Sequence, residues 1–196
     1  MTNPITDAAM DVIFRTARTF NHWQNKPVDA STLRAIYDLC KWGPTAANSS
    51  PMRIVFVQSA DAKAKLKPCL APGNADKTMA APVTAIIAHD IKFYDQLPKL
   101  MPHVDARSWY AGNDPLIAET AFRNSSLQGA YFMIAARAVG LDCGPMSGFD
   151  AAKLDSVFFP DSGWKSNFIC NLGYGDSTKM HPRGPRLDFD QVCKIL

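Results

Sequence analysis

Apolar and polar positions fall into short blocks along the chain, and the blocks read as helices alternating with short strands. Residues 6–16 and 30–41 carry apolar positions at helical spacing; Asp29 is placed to cap the second helix and Gly43-Pro44 ends it. Arg53 to Gln58 reads as a strand, Ala60 to Lys67 as a helix, and Val83 to His89, preceded by Pro82, as a second strand. Across 92–113 no period holds. Pro98, Pro102 and Gly112 interrupt a run containing Phe93, Tyr94, Trp109 and Tyr110, a composition that suits a lid. Asp114-Pro115 then starts a long helix, with Pro at its first position, which runs to Val139 and stops at Gly140. Its second half, from Gln128 to Ala136, is apolar on nearly every face, as expected of a helix buried all round or packed on a second subunit. Strand-like segments follow at 141–143 and 167–172. The tail from Lys179 holds Pro182, Gly184 and Pro185 and reads as extended. The pattern is α+β, a single domain over 1–196.

Composition narrows the class. At 196 residues, 47% hydrophobic and 20% charged, the chain is expected to be soluble and to bury its own core. A net charge of +3 without a Lys/Arg run argues against nucleic acid as a partner and leaves anionic small ligands open. The start lacks a basic segment followed by an apolar run, so a cytoplasmic protein is expected. Residues 123–139 carry Arg123, Asn124, Gln128 and Arg137 and are too polar to span a membrane. Five scattered cysteines without a Cys-x-x-Cys pair suggest free, largely buried thiols in a reducing compartment. Four scattered histidines give no reason to expect a metal.

The candidate chemistry begins at Gly144-Pro145-Met146-Ser147-Gly148-Phe149-Asp150, read as a loop too rich in Gly and Pro for helix or strand. Either it is an ordinary turn, or its free N–H groups from Met146 to Gly148 face a planar, electron-accepting ring. Familiar catalytic motifs are missing. Gly173-Tyr174-Gly175 has Thr178 where a dinucleotide fingerprint needs its third Gly, and Ser147 is one place off a nucleophile elbow. What remains binds anions: Arg15 and Arg18 near the start, Arg183 and Arg186 near the end, the turn Pro44 to Pro51, and Asn74 to Lys77. A phosphorylated cofactor that itself performs redox chemistry accounts for a site without a protein nucleophile.

These residues resemble a family. Arg15-Thr16-Ala17-Arg18-Thr19-Phe20 is similar to the Arg-Ser-x-Arg-x-Phe opening of the nitroreductase-type FMN oxidoreductases, Gly43 to Asn48 to their Pro-Ser-x-x-Asn turn, and Gly144 to Phe149 to their flavin loop. Within the family the chain looks most like the malonic semialdehyde reductases of the Rut uracil-degradation route. The shared segments include Lys41 to Thr45, Glu119 to Ser126, Gly144 to Asp150 and Asn171 to Ser177. The resemblance implies a nitroreductase-like homodimer with a mostly antiparallel central sheet, a helical dimer core and exchanged C-terminal arms. It also implies FMN as cofactor, with its phosphate on Arg18 and Arg183 and, secondarily, on Arg15 and Thr16, where Thr16 replaces the usual Ser. His181 stands where many members have another phosphate-binding Lys. Asn74 and Lys77 would reach the ribityl chain and pyrimidine edge, and Lys77 would favour the anionic reduced flavin. Pro145, Met146, Ser147 and Gly148 would line the flavin, with the Ser147 backbone at N5, while Pro44, Thr45, Asn48 and Ser50 would come from the second subunit. NADH or NADPH would supply hydride in a ping-pong cycle that reduces malonic semialdehyde to 3-hydroxypropionate; a broad nitroaromatic or quinone reductase is the alternative. Arg107, Arg123, Asn124 and Ser125 are the candidates for the substrate carboxylate.

Overall fold

The computed structural model describes residues 3–196. Four antiparallel strands, β1 (Met52–Val57), β2 (Val83–Asp90), β3 (Asp142–Met146) and β4 (Trp164–Gly173), form one sheet in the order β1-β2-β4-β3. The central β2 is buried from Val83 to His89, which is why its sequence reads as an almost unbroken apolar run. Its side chains divide by the period of two. Ala85 and Ile87 join a core with α2 (Ala30–Cys40) and α6 (Asp114–Ala138), built around Leu33, Ile36 and Phe132. Ile86 and Ala88 face the other way, into a core with Leu66 of α3 (Ala60–Leu66) and Leu154 of α7 (Ala151–Phe158).

The segment 92–113 is more ordered than its irregular sequence suggests. Short helical turns, including α5 (Leu97–Leu100), wrap Phe93 and Tyr110, whose rings meet edge to face with centroids 5.0 Å apart. Leu97, Ala106, Ile117 and Ala121 complete this third core against the first half of α6. The second half of α6 is not buried all round: Phe132, Ala135 and Ala136 are, whereas Leu127 and Tyr131 are 50% and 42% exposed.

Several other expectations need correction. Gly144, Pro145 and Met146 are not loop but the end of β3, paired with Asn171, Cys170 and Ile169. Proline is tolerated there because β3 is an edge strand with only one ladder to supply. Two helices lie where none was expected: α4 (Pro72–Ala80) and α7. The first helix is brief, α1 (Asp7–Met10) passing into a wide π turn over Asp11–Arg15. Asp29 does precede α2, but its side chain makes no capping bond. The tail is not wholly extended, for α8 (Phe189–Val192) opens with a capping box between Asp188 and Gln191. Cys40, Cys69, Cys143 and Cys170 are buried free thiols, and Cys193 is free and exposed.

Candidate functional site

Edge strand β3 is the axis of the site. The N-terminal segment runs beside it, with Thr19 bridged to Cys143 and the Phe20 N–H donating to the Cys143 carbonyl at 3.0 Å. The approach requires Gly144, where a Cβ would lie 2.5 Å from the Phe20 carbonyl oxygen. Past the strand the chain is fastened to α4. The Gly148 carbonyl accepts both the Ala71 N–H, at 3.1 Å, and Asn74 Nδ2, at 2.8 Å. A Cβ on Gly148 would stand 2.5 Å from Asn74 Nδ2, so only glycine lets the two segments close to this distance. The N–H groups of Ser147 and Gly148 donate to no other described residue. Lys77 makes no ion pair among the described residues, while its backbone carbonyl accepts the indole N–H of Trp23 at 3.3 Å.

The tail completes this half of the site. Arg18 Nη2 donates to the His181 carbonyl at 2.5 Å, and Arg183 Nη2 donates to the carbonyls of Arg15 and Ala17 at 2.7 and 2.8 Å. Arg18, Arg183, Arg186 and Arg137 line one cavity of about 220 Å³ with Ala17, Thr19 and Gly184, and no carboxylate lines it. Arg137, from the last turn of α6, donates through Nη1 to the Ile13 carbonyl at 3.1 Å, yet its buried Nε has no partner. Close to Arg137 lies Asp142, which accepts the Gly175 N–H at 2.8 Å; burial raises its pKa, and the Gly175 bond and Arg137 oppose that. Four guanidinium groups around a cavity without a carboxylate form a donor set for a dianion.

The structure thus brings Arg18 and Arg183 together at one cavity, and Asn74 and Gly148 together where α4 meets the segment after β3, with Met146 against Thr78 of the same helix. Arg15 and Thr16 are adjacent but otherwise engaged. The Arg15 guanidinium pairs with Asp7 at 2.9 Å and Asp11 at 3.3 Å, and the Thr16 hydroxyl donates to the Asp11 carbonyl at 2.8 Å. Arg137 and Arg186 join them. In the sequence Arg137 reads only as a polar residue of the long helix.

Pro44, Thr45, Asn48 and Ser50 lie elsewhere, in a turn that Asn48 and Ala46 bond to α5 and α6. Asn48 Nδ2 donates to the Leu100 carbonyl at 2.8 Å, and the Ala46 N–H donates to Asn124 Oδ1 at 2.8 Å. In this turn Ala47, Asn48 and Ser50 all have positive φ, of 52°, 51° and 41°. None is glycine, and each such residue costs about 1–3 kcal/mol that the surrounding contacts must offset.

The four candidates for the substrate carboxylate do not form a cluster of free donors. Asn124 and Ser125 are buried: Asn124 holds Ala46 and the Thr120 carbonyl, and Ser125 Oγ accepts Asn167 Nδ2 at 2.8 Å. Arg107 pairs with Asp95 at 3.0 Å and stacks over Tyr94, and Arg123 pairs with Glu119 along α6.

Residues 14–174 match the model of the Nitroreductase family, and the chain belongs to that family. A relative from Ralstonia nicotianae, provisionally named NADH dehydrogenase/NAD(P)H nitroreductase, is 60% identical over 189 residues, 96% of this chain and 97% of that protein. Solved structures share the fold at low identity. A nitroreductase from Bacillus subtilis superposes with a TM-score of 0.89 at 22% identity, covering 97% of this chain and all of the other. One from Exiguobacterium sibiricum, solved in complex with FMN, gives 0.83 at 18% identity with both chains fully covered.

Proposed function

We propose that the protein is an FMN-dependent NAD(P)H oxidoreductase. The observation that carries the reading is an arginine-lined cavity at the N-terminal segment that pairs with β3, together with donors left unclaimed past the end of β3 and on α4: the N–H groups of Ser147 and Gly148 and the Lys77 ammonium. A phosphate fits the first and the polar edge of a flavin the second. Membership of the nitroreductase family and the names of its relatives support the same reaction class. FMN held there would supply hydride transfer between NADH or NADPH and an oxidised substrate.

The chain's own part is binding and orientation. Arg18 and Arg183, with Arg137 and Arg186, would hold the phosphate; Asn74 and Gly148, bonded to each other, would border the ring; Lys77 would stabilise negative charge at its pyrimidine edge. The finer reading is malonic semialdehyde as substrate and 3-hydroxypropionate as product, resting on the segments shared with the Rut reductases. A nitroaromatic or quinone substrate is the second reading, favoured by the names of the 60%-identical relatives. Purified protein is expected to be yellow, to release FMN on denaturation, and to turn over malonic semialdehyde with a larger kcat/KM than a nitroaromatic or quinone. A protein that stays colourless after FMN addition would sink the cofactor assignment. The reverse substrate order would promote the second reading.

A homodimer is part of the proposal, because Pro44, Thr45, Asn48 and Ser50 would complete the partner's site. The exposed apolar residues Phe122, Leu127 and Tyr131 of α6, together with Trp42, are the surface such a dimer would cover. Light scattering at micromolar concentration should give twice the 21.5 kDa chain mass. A monomer mass with flavin bound would contradict it.

A further inference from the structure

Beneath α4 lies a lysine that neither the sequence motifs nor the family resemblance assigns. Lys63, on α3, is 8% exposed, and its Nζ donates to the Thr78 carbonyl at 2.7 Å, the Ala81 carbonyl at 2.9 Å and Thr84 Oγ1 at 2.9 Å. Those three acceptors use all three protons of the ammonium, and none is a carboxylate. Burial pushes its pKa down to about 8, so holding the charge here costs free energy that an aliphatic side chain would not.

What the charge holds is the last turn of α4. Thr78 and Ala81 present carbonyls at the negative end of that helix, where a cation is favoured. The bonds then continue inward. Thr84 Oγ1 donates to Asn171 Oδ1 at 2.8 Å, Asn171 Nδ2 reaches Thr78 Oγ1 at 3.3 Å and the Lys77 carbonyl at 3.4 Å, and the Thr78 hydroxyl donates to Met146 Sδ at 3.6 Å. A single buried network therefore touches the backbone of Lys77 and the residue before Ser147.

We propose that Lys63 is a positioning residue: by gripping the C-terminal turn of α4, it sets where Lys77 stands against the flavin and so how strongly the reduced cofactor is favoured. The inference rests on Lys77 serving the pyrimidine edge of FMN, and the test separates the two.

The test measures the midpoint potential of bound FMN in wild type, Lys77→Met, Lys63→Met and the double variant, with circular dichroism as the check on folding. Lys77→Met should weaken the reduced cofactor about tenfold more than the oxidised one, lowering the two-electron potential by about 30 mV. Lys63→Met should lower it in the same direction, and the double variant should fall no further than Lys77→Met alone, since both act through one side chain. Additive shifts would overturn the proposal. Should Lys63→Met fail to fold, the same cycle with Lys63→Arg decides: the charge stays, but a forked guanidinium cannot set its donors on the Thr78 and Ala81 carbonyls as one ammonium does, and an unchanged potential would overturn the idea. A Lys77→Met potential equal to wild type would instead remove Lys77 from the site and the proposal with it, while leaving FMN binding itself intact.

Discussion

Arg18→Ala and Arg183→Ala are each expected to weaken FMN binding about 10- to 150-fold, the effect of losing a charge-assisted hydrogen bond of about 1.5–3 kcal/mol. Each guanidinium spends one nitrogen on backbone carbonyls, His181 for Arg18 and Arg15 with Ala17 for Arg183. That leaves further N–H groups of each fork for the cavity they share with Arg137 and Arg186. Arg137→Met should show a loss of the same order, because its buried Nε has no protein partner to give up. Riboflavin separates this effect from general damage. Lacking the phosphate, it should bind wild type poorly and respond little to any of the three substitutions. Titration by flavin fluorescence quenching gives both affinities. If a substitution weakened riboflavin as much as FMN, that arginine would be holding the tail or the 15–17 backbone and not the phosphate.

How much of this was legible in the sequence depends on what each element shows in one dimension. Strands β1 and β2 and the start of α6 were legible, because a run of β-branched residues and an Asp-Pro start are local signals. Strand β3 was legible only at its start, in 141–143, since Gly144 and Pro145 announce a break wherever a ladder lies on both sides, and only the sheet order reveals an edge. The start of α4 carries turn composition as well. Pro72-Gly73-Asn74 opens a helix in which Pro occupies a position that needs no N–H. A signal for α7 was present and unused: Asp150 accepts the Lys153 N–H at 3.0 Å, a capping bond that an Asp before an apolar run can announce.

Of the site, the arginines and the Gly-rich segment were visible as residue types, but their convergence was not. Arg137 lies between 40 and 50 residues before Arg183 and more than a hundred after Arg18, on a helix whose pattern announces only burial. Its cavity exists because β3, the N-terminal segment and the tail meet. The left-handed turn at Ala47, Asn48 and Ser50 was equally hidden, as no glycine marks it. The substrate candidates differ in the opposite sense. Asn124 and Ser125 look available in sequence, and folding commits both to internal bonds, Asn124 to the backbone of that turn.

Gly148 should tolerate no larger side chain without loss of flavin. A Cβ there meets Asn74 Nδ2 at 2.5 Å and Ala71 Cβ at 3.5 Å, so Gly148→Val must either displace Asn74 from the Gly148 carbonyl or push the segment away from α4. Overpacking of this kind costs about 1–3 kcal/mol, roughly 5- to 150-fold in affinity when it falls on a binding surface. The signature should be the reverse of the arginine variants. If Gly148 borders the ring and not the phosphate, riboflavin and FMN should lose affinity by the same factor, while circular dichroism still shows the native fold. Unchanged FMN affinity would mean that the segment after β3 is not a wall of the flavin site. A loss confined to FMN would mean that the substitution acts at the distant phosphate end, and the placement of the Ser147 and Gly148 N–H groups at the ring would have to be withdrawn.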